Sequence, residues 1–165
     1  MFSKSGRKRP TRRNIKLNYT YLYLFLALLA GAMIPAQAAV NSKMAAFVDS
    51  PVLSAFISFL VGTAALLTYI LISGVPLGNL ASARGAPAIA WIGGLLGAFF
   101  VAASVMLVPK LGVAMTFSVI IAGQMLVTLV IDHFGLLDVP VRAISIPRVV
   151  GVILIAFGVV LIRRF

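Results

Sequence analysis

Residues 111–131 read LGVAMTFSVIIAGQMLVTLVI, 21 positions without a charged side chain. A helix needs about 20 mostly apolar residues to cross the ~30 Å hydrocarbon core of a bilayer. This run meets that length, and its one amide is Gln124. Moving toward the N-terminus, Pro109-Lys110-Leu111-Gly112 is too short for anything but a tight turn between antiparallel helices, and 88–108 is a second apolar run. Earlier still come 52–73 and about 21–40. On the other side, 149–162 is short between Arg148 and Arg163. It lengthens by reaching back to Ile146, with both arginines snorkelling to the interfaces. Five spans result, at about 21–40, 52–73, 88–108, 111–131 and 146–162. They predict an all-α integral membrane protein, a five-helix transmembrane domain over 19–165 that leaves no soluble domain of any size.

Composition agrees. Of 165 residues, 62% are hydrophobic and 10% charged. Soluble domains carry roughly 45–50% and 25%, so there are too few charges to cover a water-facing surface. The net charge of +11 is mostly a tail: seven of fourteen Lys and Arg lie in the first sixteen residues, with no acid among them. These are Lys4, Arg7, Lys8, Arg9, Arg12, Arg13 and Lys16, in a segment read as a basic cytoplasmic tail over 1–18. Only Phe2 supplies a ring there, so nucleic acid is not expected as a partner. The tail suits an anionic inner leaflet, at about 1 kcal/mol per basic residue near the surface. Counting Lys and Arg with the N-terminus inside puts ten on the inner side and four outside. Without the tail the count is three against four. The tail therefore sets the expected orientation, N-terminus in and C-terminus out. An A-x-A pattern at Ala36-Gln37-Ala38 and the pair Arg12-Arg13 also allow reading an export signal. Four further spans follow, and the first run is taken as a span.

With no Cys and one His, no thiolate or zinc site is expected, and no cofactor. No HExxH, GxxxxGK[ST] or GxSxG stands in the chain, and no pair of intramembrane acids, so an enzyme is not expected. Turn chemistry falls between the runs. Asp49-Ser50-Pro51 reads as a helix start with Ser50 as cap. Residues 74–87 hold Pro76, Gly78, Asn79, Gly85 and Pro87, all turn-formers. Residues 132–147 form the longest interior loop.

Polar residues inside spans ask for partners. Pro35 cannot donate to the carbonyl of Gly31, which predicts a helix bend there. Gln37 and Asn41 share a face beside it, either as the wall of a substrate path or as bonds to neighbouring helices. Gln124, Thr128 and Asp132 repeat every four residues along the fourth span, and Gln124 and Thr128 are candidates, with Gln37 and Asn41, for the lining of a substrate path. Asp132 opposes the dipole at that helix's C-terminal end and calls for Arg142, Arg148, solvent or a proton. It is a candidate gate or coupling carboxylate with Arg142, or an interfacial acid paired to a loop arginine. Small residues mark packing faces: Ser54, Ser58 and Gly62 in the second span, Gly93 and Gly97 in the third, Gly151 and Gly158 in the fifth.

Taken together the strings resemble a known family. Gly31-x-x-x-Pro35-x-Gln37-x-x-x-Asn41 is followed by Ser58-Phe59-Leu60-Val61-Gly62-Thr63 and Gly93-Gly94-Leu95-Leu96-Gly97-Ala98-Phe99-Phe100. Leu111-Gly112-Val113-Ala114, Ala122-Gly123-Gln124, Asp132-His133-Phe134-Gly135, Gly151 and Gly158 complete the series. This order resembles the YdcZ-like family of bacterial inner-membrane proteins in the drug/metabolite transporter superfamily. The resemblance implies half of a ten-helix transporter built from inverted five-helix repeats, completed by a second copy or an oppositely oriented homologous subunit. It implies a small organic metabolite or drug-like solute as cargo, moved by alternating access, with Gln37, Asn41, Gln124 and Asp132 among the recurrent polar positions. The related small multidrug exporters carry an acid in the first span, and none stands here. The long basic leader also departs from the family's short N-termini and favours an oppositely oriented partner. The alternative is a non-transporting accessory or assembly protein whose polar residues only join helices.

Overall fold

The computed structural model describes the backbone of residues 12–164 and the side chains of 19–164. The seven basic side chains read as the tail lie outside the described ones. Five long helices carry the chain: α1 (Arg12–Val48), α2 (Pro51–Ser73), α3 (Ala88–Leu111), α4 (Val113–Phe134) and α5 (Ile146–Arg164). Each contains a stretch long and apolar enough to span a membrane. No strand occurs among the described residues. Contacts divide the chain after Ala36. Among the described residues the earlier unit is a stretch of α1, in which Tyr19 and Tyr23 stack at 6.5 Å.

The helices outrun the spans read from hydropathy, and the reasons are local. α1 continues past residue 40 to Val48: Asn41, Ser42 and Lys43 lower the hydropathy without breaking the helix. It stops at Asp49, which has φ 50°. Ser50 then caps α2, its Oγ accepting from the Leu53 N–H at 3.2 Å, with Pro51 at the first turn. α3 runs through Pro109 to Leu111, so the expected four-residue turn shrinks to Gly112, at φ 79° and ψ 160°. Only glycine takes such a backbone readily. The Gly112 carbonyl accepts from both the backbone N–H and the Oγ1 of Thr116, at 3.1 and 2.7 Å. The turn-rich segment after α2 is ordered as a 3-10 helix, Leu77–Gly85.

From Gln37 onward, the helices pack in chain order. α2 lies on α3, α3 on α4, and α4 most extensively on α5. Among the described residues no comparable packing joins α2 to α5, so these helices form a row and not a closed ring. The buried core is small: Ala55, Val101 and Val105, flanked by Ala45, Phe100 and Ala102. It gathers the last turns of α1, the first turns of α2 and the second half of α3. Elsewhere large apolar side chains face outward, and α5 buries none of its residues. In water that would be untenable; in hydrocarbon it costs little.

Gly135 ends α4 at φ 61°, and a Cβ placed there would lie 2.7 Å from Val141 Cγ2. Gly135→Ala is expected to lower unfolding stability in detergent by about 1–2 kcal/mol, the usual cost of a left-handed backbone to an L-residue. Gly123→Ala, where nothing lies within 4 Å, should leave the thermal midpoint unchanged or slightly raised.

Candidate functional site

Most of the cross-helix polar bonds gather at one seam. Asn41 is 7% exposed and Ser54 fully buried. Asn41 Nδ2 donates to Ser58 Oγ at 3.2 Å, and Ser54 Oγ donates to the Asn41 carbonyl at 2.6 Å. The asparagine thus ties α1 to α2 twice, once through its amide and once through its backbone. Pro109 supplies the next tie. Lacking an N–H, it leaves the Val105 carbonyl without its helical donor, and Ser42 Oγ on α1 donates to that carbonyl at 3.4 Å. Ser104 turns inward on its own helix, donating to the Val101 carbonyl at 2.9 Å. Among the described residues no buried side-chain polar atom lacks a partner.

Directly above this seam lies a recess of about 240 Å³, lined by Gln37, Ser58, Phe59, Gly62, Thr63 and Leu66. Gly62 has nothing within 4 Å of the place its Cβ would occupy, so within this chain it opens the recess rather than packing a helix. Gln37 stands one helical turn before Asn41, exposed, its amide without a partner among the described residues. The recess therefore offers an amide and two hydroxyl positions against an apolar wall. That set can hydrogen-bond a small polar solute while Phe59 and Leu66 contact its apolar part. Thr63 was quoted in the sequence as part of a string and given no role. Its place beside Ser58 and Gly62 is what brings it in.

The polar residues of α4 are elsewhere. Thr128 spends its hydroxyl on the Gln124 carbonyl, at 2.7 Å, and both residues are exposed. No hydrogen bond among the described residues joins either to Gln37 or Asn41. At the end of α4, Asp132 Oδ2 accepts from Arg148 Nη2 at 2.6 Å, with both side chains about a quarter exposed, 31% for Arg148 and 21% for Asp132. An acid at a helix C-terminus and a base in a helix's first turn each oppose a helix dipole. Pairing them removes both mismatches at once. Of the two arginines the sequence offered, the structure brings Arg148 to the carboxylate. Arg142 joins through its backbone: its N–H donates to the Asp132 carbonyl at 2.7 Å, and its own carbonyl accepts from Arg148 Nη1 at 3.0 Å. His133 Nδ1 accepts from the Ile144 N–H at 3.3 Å, which puts the proton of the neutral ring on Nε2. The α4–α5 connection is thus latched at four points.

The small-residue faces divide as well. Gly97 meets the Phe59 ring of α2 at ordinary contact distance, whereas Gly93, Gly151 and Gly158 have nothing within 4 Å. α1 stays helical through Pro35. Among the described residues no group of three or more His, Asp or Glu lies together as a metal site.

Residues 22–161 match the family described as "Putative inner membrane exporter, YdcZ". The chain is similar to the inner membrane protein YdcZ of Escherichia coli (strain K12), with 41% identity over 73 residues, covering 44% of this chain and 48% of that protein. The chain thus spans about half the length of the curated relative it matches. No solved structure matches.

A double-mutant cycle between Asp132→Asn and Arg148→Gln, read by unfolding in detergent, is expected to give a coupling of about 0.5–3 kcal/mol. The same cycle with Arg142→Gln should give a coupling near zero, since only the Arg142 backbone takes part.

Proposed function

The chain belongs to the YdcZ family of inner-membrane proteins, and from that premise we propose that it is one subunit of a transporter for a small organic metabolite or drug-like solute, working by alternating access as a pair. Family and spans together make it a multi-pass inner-membrane protein of an exporter family. The observation that carries the proposal is an unfinished row of helices with a polar recess in it. The row from Gln37 onward ends at α5, none of whose described residues is buried. The amide of Gln37 and the hydroxyls of Ser58 and Thr63 line a recess on the α2 side. A second five-helix subunit, a copy or an inverted homologue, would close such a row into a path.

In this reading Gln37 and Asn41 act at the path directly, Gln37 as a ligand and Asn41 by holding Ser58 in place. Gln124, exposed on α4 with its amide unpartnered among the described residues, contributes from the facing side of the pair. Thr128, already bonded to the Gln124 carbonyl, shapes the wall. The Asp132–Arg148 latch serves as the gate at the end of α4, with Arg142 holding its loop. The expected orientation is N-terminus cytoplasmic and C-terminus outside, set by the basic tail.

Solute flux in proteoliposomes tests the proposal. Asn41→Ala and Gln37→Ala should each cut flux about tenfold, the equivalent of one lost hydrogen bond of ~1.4 kcal/mol, with helicity and oligomeric size unchanged. Absence of flux for every solute tried, with and without a co-expressed short homologue, favours an accessory or assembly protein instead. Reporter fusions before Lys4 and after Phe165 should each report a single side, inside and outside respectively.

A further inference from the structure

Beyond the Asn41 seam lies a second recess, which the transport proposal does not use. It measures about 410 Å³ and sits where α1 and α3 end and α2 begins. It shares no lining residue with the recess at Gln37. From α1 it takes Ser42, Ala45 and Asp49, which at spacings of three and four fall on one helix face. From α3 it takes Val105, Met106 and Lys110.

Its polar side chains are of two kinds. The hydroxyls are already engaged: Ser42 Oγ donates to the Val105 carbonyl, and Ser50 Oγ accepts from the Leu53 N–H. The charges are not. Asp49 and Lys110 line the same recess and are both exposed. Among the described residues no hydrogen bond or ion pair engages either of them, and they do not pair with each other. Asp132, by contrast, has its arginine.

An acid and a base in one recess select by charge. A simple cation is drawn to Asp49 and repelled by Lys110, and a simple anion meets the reverse. A molecule that carries both charges satisfies both groups, through charge-assisted hydrogen bonds, which are the stronger kind. Ala45, Val105 and Met106 give the same recess an apolar wall, which suits an aliphatic side chain.

We propose that this recess binds a zwitterion with an aliphatic body, a free amino acid, its ammonium on Asp49 and its carboxylate on Lys110. The site stands apart from the transport reading, because its occupancy is read by binding and not by flux. A phosphatidylethanolamine headgroup carries the same pair of charges, so the test separates the two sources.

Equilibrium dialysis of labelled L-leucine against the full chain in phosphatidylglycerol nanodiscs tests the site. L-leucine should bind, and L-leucinamide and N-acetyl-L-leucine, each lacking one charge, should bind about tenfold more weakly, the worth of one charge-assisted hydrogen bond. Asp49→Asn keeps a residue that tolerates the φ of 50° at this position, so folding should survive while L-leucine binding falls about tenfold. Lys110→Gln should weaken L-leucine equally but leave L-leucinamide unchanged. Lys43→Gln, on α1 but outside the recess, should change neither. Absence of L-leucine binding to the unaltered chain overturns the proposal, as does equal binding of the three compounds or unchanged binding in both recess variants. A loss from Lys43→Gln as large as that from Lys110→Gln overturns it in favour of a general charge effect. With phosphatidylethanolamine added to the nanodiscs, unchanged L-leucine affinity supports the free amino acid, and loss of binding overturns it in favour of the headgroup.

Discussion

Hydrocarbon offers no water to an unpaired polar group, and the structure is organised by that constraint. Most polar side chains settle it locally. Thr68, Ser118 and Thr128 each donate to the carbonyl four residues back and need no neighbour. The exceptions do the joining. Asn41 is bonded through both amide and carbonyl to α2, and Ser42 meets the carbonyl that Pro109 releases on α3. These bonds lie around Ala55 and Val105, the heart of the small core. α5 buries none of its residues and is held by the Asp132–Arg148 latch and by its packing on α4.

The five helices and their order were legible because length and hydropathy are properties of each segment alone. Ser50 and Pro51 announced the start of α2 for the same local reason. The ends were harder. Asn41 to Lys43 look like the end of a span, but they are sound helix positions, and only Asp49 stops α1. Pro109 looks like a breaker, but near the end of α3 its cost is one carbonyl, and Ser42 takes that carbonyl. The 3-10 segment at Leu77–Gly85 hid behind residues that also make turns.

Of the candidate site, periodicity could tell which residues share a face but not which faces meet. Gln37 and Asn41 were paired by spacing, and they do lie along one seam. Gln124 and Thr128 were grouped with them by polarity, yet within this chain they sit on another helix and face outward. Whether Asp132 takes Arg142 or Arg148 depends on the path of an eleven-residue connection, residues 135–145, which no pairwise spacing encodes. The glycines show the same limit of periodicity. Gly62, Gly151 and Gly158 have the spacing of packing faces, and within this chain they line cavities. A small residue permits close approach, and equally permits a ligand.

In the proposed reading, a row of helices with a polar recess near α2 and an α5 that buries nothing is a part rather than a finished device. The proposed function turns on whether two such parts make the working unit. Subunit counting by single-molecule photobleaching in proteoliposomes, with flux recorded from the same vesicles, addresses this most directly. The account predicts that vesicles holding one chain are silent and that flux appears with two. Flux from single chains at the full per-chain rate would contradict it.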